Sequence, residues 1–563
     1  MTRVGILLDS TDCSKYLHAT IRELAQNDRV ELYFLINEGD PSKRSALHKA
    51  GAMTRSRGIW HIINLGFFRM VIGIEARLLS ILSESVKSHF ETMNVASFSG
   101  NEVLSLSPQF SNSGLIVRYA DEDLERIKAL DLDLLIRGNS PGIFKGGIVR
   151  AAKGGILSFH HGDNRWNRGG PAGFWEVYLR RPSTGFVIQV LTEELDGGLV
   201  LFRGEVRTQR SFTENQMNVY SISNSFLAKT VLDYAAAEAQ GIEARLPEPE
   251  EPTAFGGELL TVPNLAQSSS YLARTSWLFL SLAMNRVVFR RDDRWSVAFL
   301  AGSWRGATLR RGVEIENPPN RYFADPFVAT KNGRTVCFVE DYSYATKRGS
   351  ITAVELRDEK RYEILGPVIE ESFHMSFPYI FEWKDELFMI PETCDDASIR
   401  LYRCVEFPMK WRFEKAIMTG VDAVDSMVFE LEGRWWLLTT LATDGIRDHM
   451  SQLMAFYSDR PDSDEWCPHE MNPLIFDSTI ARNGGILDAT SGAPVRCRQK
   501  QGFNQYGEAL SLSRILELTP SSFKEEHVGS VTPDFFPKLK GCHHMHSDDR
   551  YVVYDYLRLE SRR

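Results

Sequence analysis

Residues Gly155–Leu201 read GILSFHHGDNRWNRGGPAGFWEVYLRRPSTGFVIQVLTEELDGGLVL. An apolar run ends at two adjacent histidines, His160 and His161, and a turn rich in Gly, Asp and Asn follows. Arg168-Gly169-Gly170-Pro171 leads into a short helical pattern containing Trp175. An apolar strand from Gly185 to Leu191 comes next, then the loop Leu195-Asp196-Gly197-Gly198. Strand, helix, strand is the repeating unit of a mostly parallel sheet with crossover helices. Ligands of such sheets bind beyond the carboxyl ends of strands, and His160 and Asp196 both follow apolar strands. A histidine and a carboxylate placed there can orient each other and shuttle a proton.

Toward the N-terminus the alternation continues. Arg3–Leu8 is a β-type run, Lys15–Ala25 is helical in pattern, and Arg29–Ile36 is a second β-type run. Glu122–Ala129 reads as a helix, Leu132–Ile136 as an apolar strand, and Gly146–Ala152 as a helical segment. No Gly-x-Gly-x-x-Gly follows the first strand, so a dinucleotide site is not supported. A helix over Gln216–Gln240 closes this half, and the acidic, Pro-rich LPEPEEPT of Leu246–Thr253 is a linker signal.

Beyond the linker the period changes. Short apolar runs follow tight polar turns at Asn332-Gly333, Lys384-Asp385 and Glu432-Gly433, with a similar turn at Ser547-Asp548-Asp549. Hairpins at this spacing suggest propeller blades, with a pair of β-sandwiches as the alternative. The expected organisation is multidomain: an open, mostly parallel α/β sheet over 1–245, a connecting segment over 246–285, and an all-β five-bladed propeller over 286–563.

The chain has 563 residues, 43% hydrophobic and 25% charged, the usual mix of globular domains. Lys plus Arg is 65 against Asp plus Glu 74, a formal charge of −9 that argues against a chain dedicated to nucleic acid. The 7 cysteines show no CxxC spacing, so neither a zinc site nor a disulfide framework is signalled, and no metal is expected. The opening MTRVGILLDS lacks the apolar core of a signal peptide. Arg69, Glu75 and Arg77 interrupt the apolar Ile59–Leu82. That segment is expected as an amphipathic surface helix, with peripheral membrane contact left open. A cytoplasmic protein is the expectation, and its oligomeric state is not legible.

The segment from Leu132 to about Thr208 resembles the folate-dependent formyltransferases, in particular the sugar N-formyltransferases. Their pattern is a strand ending Asn-x-His, an Arg-Gly loop, a helix with Trp, a Thr-Gly strand and an Asp-x-Gly loop. His160, Arg168-Gly169, Trp175, Thr184-Gly185 and Asp196 take these places in order. The resemblance implies transfer of a formyl group from 10-formyltetrahydrofolate to an amine. Ser158 and His160 would stabilise the oxyanion, and Asp196 would hold His160 in the useful protonation state. The loop Asn139-Ser140-Pro141-Gly142-Ile143 would line the folate, and Asn164, Arg168 and Gly169 the acceptor. Ser158 stands where the family has Asn, and a lost oxyanion donor costs on the order of 10²–10³ in rate. Asn139 or Asn164 would then supply an amide.

The second half resembles the five-bladed propeller shared by arabinanase-like glycosidases and the N-terminal domain of glucosamine inositolphosphorylceramide transferases. The segments that carry this are NRYFADPFV at Asn320–Val328, SFPYI at Ser376–Ile380, Ile390-Pro391-Glu392, Val424-Asp425-Ser426, Tyr506-Gly507 and GCHHMH at Gly541–His546. The resemblance implies that Asp325, Glu392 and Asp425 line a central pocket and either bind sugar or cut it.

Together these imply an enzyme that formylates an amino sugar or glycan held by the propeller. Alternatives are formylation of initiator methionyl-tRNA, hydrolysis of 10-formyltetrahydrofolate, or a carbohydrate-binding protein or glycosidase with an inactive first half. The net charge speaks against the tRNA reading.

Overall fold

The computed structural model describes residues 1–38, 58–98, 103–111, 116–140, 142–194, 197–240, 246–251, 254–257, 259–442 and 448–561. The chain divides into two compact units, Met1–Trp277 and Leu278–Arg563.

The first unit is built on a seven-stranded sheet. Thr2–Leu8, Val30–Asn37, Val103–Leu106, Leu134–Arg137 and Ile156–His160 run parallel. Ser183–Val190 and Leu199–Arg207 add an antiparallel edge. Central strands covered on both faces need continuous apolar sequence, and Val4, Ile6, Leu7 and Leu8 are wholly buried. The helix Lys15–Ala25 buries Leu17, Ile21 and Leu24, one stripe at helical spacing. The long helix Phe212–Ala239 opens with the Ser211 hydroxyl accepting from the Glu214 amide and donating to the Glu214 carboxylate, a side-chain N-cap that fixes where the helix starts. The segment expected as a linker contains a further helix, Leu265–Ala283. Its Tyr271 is buried against the first unit and donates to Glu75 while accepting from the Phe212 amide.

The second unit has five β-sheets of four or five strands each among the described residues. The turns Asn332-Gly333, Lys384-Asp385 and Glu432-Gly433 have positive φ at both residues, the geometry whose twist matches two-residue hairpins. The last blade joins both ends of the unit: Tyr551–Ser561 pairs with Arg291–Ala301 on one side and with Met545–Ser547 on the other. Closing the ring this way covers the sheet faces that the first and last blades of an open stack would expose, and leaves only the short outer edge of each blade.

The innermost strands share one irregularity. Register slips between Ala324 and Phe327, Ser376 and Tyr379, Val424 and Met427, and Asn483 and Ile486. Positive φ occurs inside each slip, at Asp325, Phe377, Asp425 and Gly485. Bulges of this kind bend a strand and re-aim its side chains.

Candidate functional site

In the first unit the residues expected to handle folate and oxyanion are engaged in local structure. Ser158 is buried and its hydroxyl donates to the Phe159 carbonyl at 3.2 Å. Asn139 Oδ1 accepts from the Asp9 amide at 2.8 Å, and Nδ2 donates to the carbonyls of Ser10 and Asp12, each at 3.2 Å. Ser140 donates to Asp9 Oδ1 at 2.6 Å and accepts from Asn37 Nδ2 at 2.5 Å. These bonds tie three parallel strand ends together. Gly142 takes φ +99°, and Ile143 pairs with Ile116 in a small sheet. Pro141 and Asp196 lie outside the described residues. The strand leading toward Asp196 ends at Val190, in register with Leu157, while His160 stands opposite Val187. His161 contacts Ser223 Oγ at 2.9 Å and packs on Tyr220, and burial together with His160 pushes its pKa down to about 3.

Asn164 and Arg168 line a cavity of about 670 Å³ with Arg203, Gly197 and Gly198. Asn164 accepts from Arg203 at 3.0 Å, and Arg168 donates to the Asn164 carbonyl at 3.0 Å while lying over Phe255. Gly169 is a packing glycine: a Cβ there would sit 1.7 Å from the Leu260 carbonyl oxygen. Gly169→Ala should therefore destabilise the unit by about 1–3 kcal/mol, the usual cost of overpacking. An unchanged urea midpoint would show that the Leu260 segment yields without cost.

The propeller brings its three expected carboxylates into one cluster. Asp325 and Asp425 sit on their bulges, and Glu392 ends the strand Glu386–Glu392. Positive φ is tolerable for Asp, whose short polar chain suits the left-handed region. Glu340 and Asp555, on neighbouring strands, complete a group in which each carboxylate feels the charge of others. Arg482 stands among them, with Nε 2.5 Å from Asp425 Oδ2 and Nη2 3.6 Å from Glu392 Oε2. Gln499 adds a bond to Asp425 at 2.9 Å. Asp325 is held more loosely, with the Phe377 amide at 3.3 Å and His543 Nε2 at 3.5 Å. His543 stacks on Trp295 at 3.8 Å, and Tyr506 meets it edge-on.

Burial sets the electrostatics. It pushes Asp325 up to about 7, with His543 opposing and Asp425 and Asp555 adding to the rise. It pushes Glu392 up to about 8, where Asp425 adds and Arg482 opposes. Glu340 is driven well above the carboxylate range by burial and by Asp325. Burial works against a charged His543, but Asp555 and Asp325 outweigh it and hold its pKa above the usual imidazole value. Its Nδ1 lies 2.6 Å from Asp555 Oδ2. That is a carboxylate–imidazole contact, shorter than the roughly 3 Å or more separating two ligands bound about 2 Å from one metal. The cluster can thus hold protons near neutral pH and accept hydrogen bonds or a cation.

Sequence reasoning did not single out Arg482, Glu340, Asp555 or His543 as site residues. The GCHHMH run was the available signal for His543, and nothing local marks the others.

Blades around a buried acidic hub define the second unit as a five-bladed propeller with an ionisable centre. The family described as "Glucosamine inositolphosphorylceramide transferase 1, N-terminal" matches residues 310–561, inside that unit. A protein of Arabidopsis thaliana called glucosamine inositolphosphorylceramide transferase 1 is 34% identical over 213 residues. The alignment covers 37% of this chain and 28% of that protein, so the chain spans little more than a quarter of its relative's length. Among solved structures, an α-L-arabinanase of Penicillium chrysogenum superposes with TM-score 0.30 and 13% identity, over 43% of this chain and 78% of its own. A glycinamide ribonucleotide transformylase from Symbiobacterium toebii superposes with TM-score 0.27 and 13% identity, over 42% and 89%. Likenesses this distant assign no activity. The expected enzyme class and co-substrate are corrected accordingly. The relatives are named glucosamine inositolphosphorylceramide transferases, a different reaction from formyl transfer, and 10-formyltetrahydrofolate is not supported. Physically, Ser158, Asn139 and Ser140 spend their polar groups within the fold.

Proposed function

We propose that this protein binds a glycan at the propeller centre and that the recognised unit is an amino sugar. The observation that carries this is the surplus of buried carboxylates, Asp325, Glu340, Glu392, Asp425 and Asp555, over the cations Arg482 and His543. A protonated amine relieves such a surplus, and neighbouring hydroxyls supply donors to the remaining oxygens. Asp425 is saturated by Arg482 and Gln499. Asp325, with its long contacts, is the oxygen donor open to ligand. The relatives' name joins glucosamine to inositolphosphorylceramide, which supports an amino sugar as the ligand class.

A second reading is glycoside cleavage, favoured by the raised Glu392, which carries its proton at neutral pH as a general acid must. One experiment separates them. Calorimetry on the full chain with glucosamine-containing oligosaccharides should show binding that Asp325→Asn weakens by roughly ten- to a hundredfold, since a charge-assisted bond contributes about 1.5–3 kcal/mol. Equal affinity in the variant would remove Asp325 from the site. Free sugar released by the wild type and lost in Glu392→Gln would establish the hydrolytic reading.

A further inference from the structure

We propose that the helix Ile59–Leu82, together with the first turns of Leu265–Ala283, is a docking face for an anionic membrane surface. Of the helix's apolar residues only Phe68 and Val71 are buried. Trp60 is 68% exposed, Leu78 59% and Ile81 80%, and Trp277 on the second helix is 63% exposed. The two helices lie side by side: Asn64 accepts from the Leu265 amide, and Glu75 meets Tyr271.

The charge pattern identifies the occupant. Glu75 is the sole acid between Ile59 and Leu82, and it turns inward to the amide and hydroxyl of Thr213 at 2.9 and 2.8 Å. Arg69 and Arg77 are exposed on the same helix, and Arg274 stands on its neighbour, in a chain whose formal charge is −9. Leu265–Trp277 contains no acid. A second copy packed face to face would set arginines against arginines with no carboxylate from either helix between them, and like charges in an isologous contact are repulsive. Anionic head groups complement the arginines, the aliphatic side chains enter the acyl boundary, and Trp60 and Trp277 suit the wet–apolar border. No described helix is long and apolar enough to cross a membrane, so the face lies on the surface rather than spanning it.

The test is co-sedimentation of the full chain with vesicles of phosphatidylcholine alone and of phosphatidylcholine with about one-third phosphatidylserine. The serine vesicles should capture the protein in a salt-sensitive manner and the neutral ones should not. Arg69→Gln with Arg77→Gln should weaken binding roughly 30-fold, at about fivefold per arginine near an anionic surface. Ile63→Glu with Leu78→Glu, both at exposed positions, should abolish it with an unchanged thermal melt. No capture by serine vesicles overturns the proposal. So does equal capture by both vesicle types. A concentration-dependent dimer in sedimentation, lost in the glutamate variant, would assign the face to a second copy instead.

Discussion

Arg482→Leu should destabilise the propeller by about 3–5 kcal/mol, the range for leaving a buried charge without its partner. Asp425 is 1% exposed and Arg482 9%, and the guanidinium approaches both oxygens of the carboxylate, Nε at 2.5 Å and Nη2 at 3.3 Å. The same cation opposes the rise of Glu392 and lies over the Tyr506 ring. Removing it leaves Asp325, Glu392 and Asp425 facing one another across a low-dielectric centre. Protonation would relieve part of the repulsion but not the lost bonds. Asp425→Asn alone should cost less. Asparagine tolerates the positive φ of that position and keeps one acceptor oxygen, and Glu392 remains beside Arg482. Adding Asp425→Asn to Arg482→Leu should recover part of the loss, because the pair rather than either member is what burial permits. Urea unfolding of the three variants gives the cycle. A loss below about 1 kcal/mol for Arg482→Leu would place the ion pair in solvent-like surroundings.

What the sequence disclosed follows from how local each signal is. The hairpins at Asn332-Gly333 and Glu432-Gly433 were legible because the turn chemistry lies within two residues. The strands Thr2–Leu8 and Val30–Asn37 were legible because burial on both faces demands unbroken apolar runs. Asp325, Glu392 and Asp425 stood out through short motifs, and three separate strands carry them to one place. Arg482 and Asp555 did not stand out. Arg482 reaches Asp425 across 57 residues, and the Asp325 amide meets Asp555 across 230. Packing of neighbouring blades around the centre brings them together, and no local pattern reports it. The first unit teaches the converse. The order His160, Arg168-Gly169, Trp175 was visible, yet order along a chain does not say how a side chain spends its hydrogen bonds. Ser140 serves Asp9 and Asn37, and Gly169 admits Leu260. Those uses are steric and local, and they leave the same residue types in the same sequence.

Stability of the propeller should fall as pH rises from about 6.5 to about 8.5, and amino-sugar binding in that window should release protons. Asp325 and Glu392 ordinarily titrate near 3.8 and 4.5, and in the folded chain burial raises them to about 7 and about 8. Above their ordinary values the unfolded chain has released both protons while the native chain still holds them. The slope 2.303RT(νU − νN) is then negative, at most about 1.4 kcal/mol per pH unit for each proton. The raised His543 acts in the same direction, since its stabilising charge is lost as pH climbs through its folded pKa. His544 and His546 act oppositely, because burial holds both below the usual imidazole value, His546 at about 4. Their contribution is gained as pH rises toward 6.5 and is complete above it. The decline should therefore show where those two rings are neutral in both states. Asp325→Asn with Glu392→Gln should make it shallower, leaving the part due to Glu340 and His543, and a wild-type unfolding midpoint that holds steady or climbs across the window would refute the raised carboxyls. An ammonium group entering the cluster replaces the protons that Asp325 and Glu392 carry. Calorimetry near pH 7 in buffers of different ionisation enthalpy should thus report release with a glucosamine ligand and none with its N-acetylated form, which brings no charge. Proton uptake, or equal behaviour of the two sugars, would mean that the carboxylates of the hub do not face the amine.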